Sequence, residues 1–119
     1  MRAWIPATPE HLTNLQSAAQ FACELGFAVT PEWAQSWDET DPEVLESQIL
    51  AEVGQRTRIV IVAECQGSVA NAELGEIEIS GPIIKANVHA VFAANLADPQ
   101  DFLWFGPTEL PEALVWHSS

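Results

Sequence analysis

Positively charged side chains are scarce in this sequence. Only four of its 119 residues are Lys or Arg, against 17 Asp and Glu, which gives a formal net charge of −13 at pH 7. A chain of this charge cannot release counterions from DNA or RNA by neutralising phosphates, and anionic lipid headgroups repel it. We therefore expect no nucleic-acid and no membrane partner, and we expect any protein partner to be neutral or basic.

The features that mark common chemical sites are missing as well. The two cysteines, Cys23 and Cys65, lie far apart without a C-x-x-C pair, and the six glycines form no phosphate-binding loop. No apolar stretch approaches the roughly 18 residues of a membrane span, and the N-terminal residues do not resemble a signal peptide. We expect a cytoplasmic protein with reduced thiols, no metal and no cofactor. The sequence leaves the oligomeric state open.

The length and composition predict one domain that spans residues 1–119, because 48% of the residues are hydrophobic, which is enough for a core. Three triplets, each with a capping residue, a proline and an acid, predict helix starts. They are Thr8-Pro9-Glu10, Thr30-Pro31-Glu32 and Asp41-Pro42-Glu43. Apolar spacing predicts a first helix from Pro9 to about Leu25, a brief second helix, and a longer one from Pro42 to about Thr57.

The second half of the chain contains most of the predicted strands. Continuous β-branched residues from Arg58 to Cys65 predict a central strand covered on both faces. Charged and apolar residues alternate over Glu76–Ile79, which predicts a strand with one solvent-exposed face. The segment from Ile83 to about Phe92 is predicted to be its hairpin partner. Small polar residues from Gln66 to Leu74 indicate a loop. A short aromatic strand and a helix capped by Thr108 complete the domain.

These elements together predict the fold class. We expect an α+β domain with one mixed, mainly antiparallel sheet of about four to six strands. Helices pack on this sheet, in two layers or three.

The densest charge lies between Glu32 and Glu52. Asp38, Glu39 and Asp41 offer oxygen ligands for a divalent cation, although the spacing lacks the glycine and the closing glutamate of a calcium loop. The same carboxylates suit docking of a basic protein, and they equally suit a solvated face that keeps the chain soluble. The spacing of the acids does not decide among these three interpretations.

The aromatic composition is also unusual, because the sequence contains five tryptophans and no tyrosine. Trp33 and Trp37 stand four residues apart on one face of the brief helix, beside the acidic segment. They form either an exposed aromatic ridge rimmed by carboxylates or a roof over the sheet. Trp4 and Trp104 lie in predicted strands and are expected in the core.

Glu46 falls inside the apolar arc of the long helix, where a carboxylate needs a cation or hydrogen-bond donors. Arg2 and Arg58 are the candidate cations. If Glu46 is enclosed and paired, its loss is expected to be costly. The predicted interaction patch consists of Trp33, Trp37, Asp38, Glu39, Asp41 and Glu46.

A nucleophile site would need Cys65, at the end of the central strand, to meet His89 on the hairpin. Glu64 or Glu78 would orient the imidazole. No helix start or glycine-rich elbow follows Cys65, so nothing in the sequence lowers its pKa. The alternative is a half-buried thiol and a histidine on the solvent face of a strand.

Several segments together resemble a family of short uncharacterised actinobacterial proteins, and the likeness spans the whole chain. The segments are Met1-Arg2 with Pro6-Ala7-Thr8, Phe27-Ala28-Val29-Thr30-Pro31, the acidic helix start from Asp41 to Leu45, Val88-His89-Ala90-Val91, and Leu103-Trp104-Phe105 with Glu109-Leu110. The resemblance implies a bacterial cytoplasmic domain, and it implies no activity, cofactor or catalytic residue.

We therefore expect a small acidic protein that is not an enzyme and that contacts a protein partner through the acidic region from Trp33 to Glu46. The alternative is a metal-binding protein that uses the acid cluster, or a small hydrolase that uses Cys65 and His89.

Overall fold

The fold consists of nine strands and four helices, and the structure, a computed structural model, describes residues 1–119. The helices are Pro9–Ala18 (α1), Pro31–Ser36 (α2), Pro42–Gly54 (α3) and Leu110–His117 (α4). The strands are Arg2–Ala7 (β1), Gln20–Phe21 (β2), Leu25–Phe27 (β3), Ile59–Glu64 (β4), Gln66–Asn71 (β5), Glu76–Ser80 (β6), Ile83–Ile84 (β7), Val88–Ala94 (β8) and Phe102–Phe105 (β9).

Seven of the strands form one sheet in the order β5-β6-β3-β1-β4-β8-β9, and β2 pairs with β7 in a second, two-stranded sheet. The α+β prediction is confirmed. The predicted count of four to six strands is too low, and the sheet is not mixed, since every pairing is antiparallel. The segment predicted as a loop contains β5, whose exposed small and polar residues form an edge strand without any hydrophobic alternation.

Helices cover both faces of the large sheet, so the domain has three layers. Buried residues of α1 and α4 join a core cluster of 18 residues on one face, and those of α2 and α3 join a cluster of nine on the other. Strand β4 contributes to both clusters, with Ile59 and Ile61 on the first face and Val60 and Val62 on the second. The prediction of a strand buried on both faces is therefore confirmed.

The three proline-acid triplets start α1, α2 and α3 as predicted. Thr8 and Thr30 accept hydrogen bonds from backbone N–H groups in the first turn, and Asp41 does the same for α3. The predicted end of the first helix at Leu25 is wrong, because Ala19 adopts a left-handed conformation (φ 58°) and stops α1 at Ala18. The longer helix ends at Gly54, three residues before the predicted end at Thr57.

The predicted hairpin after residue 80 is also wrong. The segment divides into β7, a 3₁₀ turn at Lys85–Asn87, and β8. Strand β8 pairs with β4 and β9 and does not pair with β6. A bulge in the pairing with β4 leaves His89 without a register partner, so Val88 and Ala90 pack in opposite core clusters. The last helix is capped at Glu109, and Thr108 lies one residue before the cap.

The tryptophans divide between core and surface in a way that differs from the prediction. Trp4 is buried as expected, but 59% of Trp104 is exposed. Trp104 lies in β9, which is only four residues long and forms the edge of the sheet. None of the four helices has the length and apolar character needed to cross a membrane.

The same substitution at Trp4 and Trp104 tests this division. We expect Trp4→Ala to lower the free energy of unfolding by about 3–5 kcal/mol, because it empties a packed position. Trp104→Ala should lower it by less than about 1 kcal/mol. Urea denaturation followed by circular dichroism measures both values, and similar losses at the two positions would contradict the exposed placement of β9.

Candidate functional site

The predicted aromatic ridge does not form, because Trp33 is buried and only 1% exposed. Its indole N–H donates a hydrogen bond to Oε2 of Glu52 at 3.0 Å. Trp37 is 41% exposed, and its ring lies 6.0 Å from that of Trp33. Trp33 therefore packs over the sheet, and of these two rings only that of Trp37 presents a face to solvent.

Several acids of the predicted patch have local structural roles. One carboxylate oxygen of Glu39 accepts hydrogen bonds from the backbone N–H groups of Thr40 and Asp41, both at 3.0 Å. The Asp41 side chain accepts from the N–H of Glu43 at the start of α3. Asp38 has a positive φ of 50°, a conformation that Asp tolerates better than most residues. The structure therefore spreads these acids along a turn and does not gather them around one point.

Metal-ligand geometry is also missing. No group of three or more His, Cys, Asp or Glu side chains lies close enough to hold a metal ion. The acidic segment consequently has no arrangement that favours cation binding over the two other interpretations.

Two shallow clefts border the last turn of α2, and acids line each of them. The first, about 310 Å³, has Trp37, Glu52 and Glu73 in its walls. The second, about 410 Å³, has Asp38 and Glu39. No Lys or Arg lines either cleft. We call this region the Trp37 surface, and it consists of Trp37, Asp38, Glu39, Glu52 and Glu73.

The ion pairs of the protein are concentrated elsewhere, in a group that we call the Arg2 cluster: Arg2, Glu46, Glu64 and His89. The Arg2 guanidinium lies 3.2 Å from the Glu46 carboxylate and 3.8 Å from that of Glu64. Nε2 of His89 lies 3.2 Å from the same Glu64 oxygen. The amino group of Met1 lies 3.5 Å from the other oxygen of Glu64.

The sheet register and α3 bring the Arg2 cluster together. Arg2 opposes Glu64 where β1 pairs with β4, so both side chains lie on the face that α3 covers. His89 reaches Glu64 from β8, beside the bulge. Glu46 follows the buried Leu45 on α3 and points toward Arg2.

The structure decides two alternatives that the sequence left open, Arg2 or Arg58 and Glu64 or Glu78, and it contradicts one prediction. Arg2 is the cation that pairs with Glu46, and Glu64 is the acid that contacts His89. Glu46 is not enclosed, however, because 39% of its side chain is exposed. The helical wheel misplaced Glu46 because its carboxylate reaches past the apolar face of α3 to Arg2, at the start of β1.

The surroundings of Glu64 stabilise its charged form. Slight desolvation acts to raise its pKa, but the hydrogen bond with His89 and the nearby amino group of Met1 together lower the pKa of this carboxyl. Glu64 is therefore a charged acceptor at neutral pH.

Two larger pockets lie on either side of the Arg2–Glu46 pair. One of about 630 Å³ has mostly apolar walls, among them Trp4, Leu45 and Val69, with Arg2, Glu46 and Glu64 on its polar side. The other, about 480 Å³, shares Arg2, Trp4 and Glu46 and extends to His89, Phe92 and Trp104. Apolar pockets with a few convergent polar groups are the usual form of small-molecule sites. The sequence signalled these pockets only through the unusual position of Glu46.

The structure does not bring together Cys65 and His89, the two residues that the hydrolase alternative requires. Glu64 and Cys65 are consecutive and extend to opposite sides of the sheet, so His89 meets Glu64 while Cys65 packs against the core cluster of α1 and α4. No hydrogen bond joins the thiol to the imidazole of His89. Burial raises the pKa of Cys65, and burial followed by the neighbouring Cys65 raises the pKa of Cys23 to about 11. Neither thiol is activated.

Comparison with known proteins assigns the chain to a family. A family model described as "Family of unknown function (DUF6912)" matches residues 1–100. The chain belongs to this family. The DUF6912 match covers both the Arg2 cluster and the Trp37 surface, whereas β9 and α4 lie beyond it. The resemblance to a family of uncharacterised proteins is thus confirmed. No curated protein and no solved structure matches the chain.

The strength of the Arg2–Glu46 pair can be measured with a double-mutant cycle. We expect Arg2→Ala and Glu46→Ala to show a coupling free energy of about 0.3–1 kcal/mol in urea denaturation, because both side chains are partly exposed. Arg58→Ala combined with Glu46→Ala is the control and should give additive losses. Coupling above about 2 kcal/mol would show that Glu46 is enclosed in solution.

Alkylation rates test whether the two thiols are unreactive in the folded protein. A pKa of about 11 in place of the ordinary 9.0 lowers the thiolate fraction of Cys23 at pH 8 about 100-fold. In the Cys65→Ser variant, iodoacetamide should therefore modify Cys23 far more slowly in the folded than in the denatured protein, as followed by mass spectrometry. The Cys23→Ser variant reports on Cys65, and rapid modification of the folded form would restore the nucleophile hypothesis.

Proposed function

We propose that this DUF6912 chain is a non-enzymatic protein-interaction module of the bacterial cytoplasm that binds a basic segment of a partner protein on the Trp37 surface. The observation that carries the proposal is the lack of ion pairing. Only Glu46 and Glu64 lie within 4 Å of a cationic group, which leaves 15 of the 17 carboxylates without one. A field of this sign attracts basic partners and repels acidic ones.

The Trp37 surface is the part of this field with an aromatic anchor. Trp residues at the centre of a contact contribute much of the binding energy, and a Lys or Arg side chain packs well over an indole face. Carboxylates stand on both sides of the last turn of α2, with Glu52 and Glu73 in one cleft and Asp38 and Glu39 in the other. A basic segment laid across this turn would meet an acid on each side.

Two members of the predicted patch contribute less than expected. Trp33 is buried beneath the surface, and Glu46 is engaged with Arg2 some distance along α3. Asp41 remains exposed at the start of α3, where it extends the acidic area of the Trp37 surface. The proposed contact therefore centres on Trp37 and includes the turn that follows it.

Binding of a short fluorescent peptide of Lys, Arg and Gly tests the proposal, with fluorescence anisotropy as the measurement. Asp38→Asn, Glu39→Gln and Glu73→Gln together preserve side-chain shape and remove three charges. We expect this variant to bind about tenfold more weakly at roughly 100 mM salt, and Trp37→Ala to weaken binding independently of net charge.

The matched control removes the same charge elsewhere. Glu10→Gln, Glu24→Gln and Glu112→Gln lie at exposed positions outside the Trp37 surface and should change the affinity less than about twofold. Equal losses in the two triple variants, with no effect of Trp37→Ala, would mean that the peptide senses only net charge. That result would overturn the proposed site.

A further inference from the structure

The 630 Å³ pocket beside the Arg2 cluster is not used by the proposed protein contact. Its apolar walls come from five parts of the fold, because β1, the segment after β3, α3, β5 and β6 each contribute residues. Trp4, Leu45 and Ile77 are themselves fixed in the core. The pocket is therefore preformed, and its volume lies within the range of small-molecule sites.

The polar side of this pocket carries charges of both signs. The Arg2 guanidinium lies between the carboxylates of Glu46 and Glu64, and all three side chains line the pocket. From this arrangement we propose that the pocket binds a small zwitterion with an apolar body, as in a free α-amino acid with an apolar side chain.

Charge complementarity favours a zwitterion over an ion of one sign. A lone ammonium group that pairs with Glu46 competes with Arg2 for that carboxylate and leaves the guanidinium only its longer contact, of 3.8 Å, with Glu64. A lone carboxylate that pairs with Arg2 faces two glutamates at close range, which repel it. A ligand with both groups places its ammonium at the glutamates and its carboxylate at Arg2, so every charge keeps an opposite neighbour.

The apolar walls determine the other half of the ligand. Trp4, Leu45 and Val69 border the pocket, and an apolar side chain loses water-exposed area when it enters there. A zwitterion without an apolar side chain, such as glycine, would leave the apolar walls of the pocket exposed to water. The apolar body therefore supplies affinity, and the charged side of the pocket sets the orientation.

Three probes that share one body and differ in their charges test the proposal. They are phenylalanine, 2-phenylethylamine and 3-phenylpropanoate, and calorimetry with the whole chain measures their affinities. We expect saturable binding of phenylalanine that is at least about tenfold tighter than that of the other two probes, and we expect glycine not to bind. Comparable affinity of the amine alone or of the acid alone would overturn the zwitterion assignment.

Substitutions locate the binding site. Arg2→Gln and Glu46→Gln each retain a polar side chain at a partly exposed position, so the fold should persist, and circular dichroism verifies it. Each should weaken phenylalanine binding about tenfold or more, whereas the controls Arg58→Gln and Glu112→Gln should leave it unchanged. Unchanged affinity in the cluster variants, or no saturable binding of any probe, would refute the site.

Discussion

Four cationic side chains cannot neutralise seventeen carboxylates, so the fold has to solvate most of its acids without ion pairs. Hydrogen-bond donors of the backbone and of one indole ring provide part of the solution. Asp41 and Glu39 accept hydrogen bonds at the turn before α3, and Glu52 accepts one from the indole of Trp33. Most of the remaining acids face water. Because acids in these positions cost little to keep charged, the domain retains a strongly negative surface around a core in which Thr30 is the one buried polar side chain.

The Arg2 cluster is the exception to this pattern, and it follows from the sheet. The pairing of β1 with β4 places a cation opposite an acid, and α3 adds a second acid above them. Here charged side chains of both signs converge beside apolar walls. Exposed pairs of this kind add little to stability. Folding stability alone therefore does not explain why these charged side chains lie together. The same guanidinium joins two strands and a helix and also borders two pockets.

The sequence predicted features that depend on local chemistry and missed those that depend on partners distant in the chain. Proline-acid triplets located three helix starts, and continuous β-branched residues located β4, because each signal acts within a few residues. β5 was missed because its small polar residues reveal nothing of the strand beside them. Trp104 was misplaced because aromatic character does not distinguish an edge strand from a central one. The sequence named Glu64 and Glu78 as alternative partners of His89, and the structure shows that Glu64 is the partner while Cys65, the next residue, lies on the other face of the sheet.

The two proposed sites differ in the physical range of the forces they use. The Trp37 surface depends on a field summed over many unpaired acids, and salt screens such a field over about 10 Å. The pocket depends on two carboxylates that each lie within 4 Å of the Arg2 guanidinium and on apolar contact, both of which salt affects much less. A net charge of −13 therefore directs basic chains toward the outer surface without deciding what enters the pocket, since a zwitterion carries no net charge for the field to act on. In the two proposals, the long-range charge selects the partner, and the short-range geometry of Arg2, Glu46 and Glu64 selects the ligand.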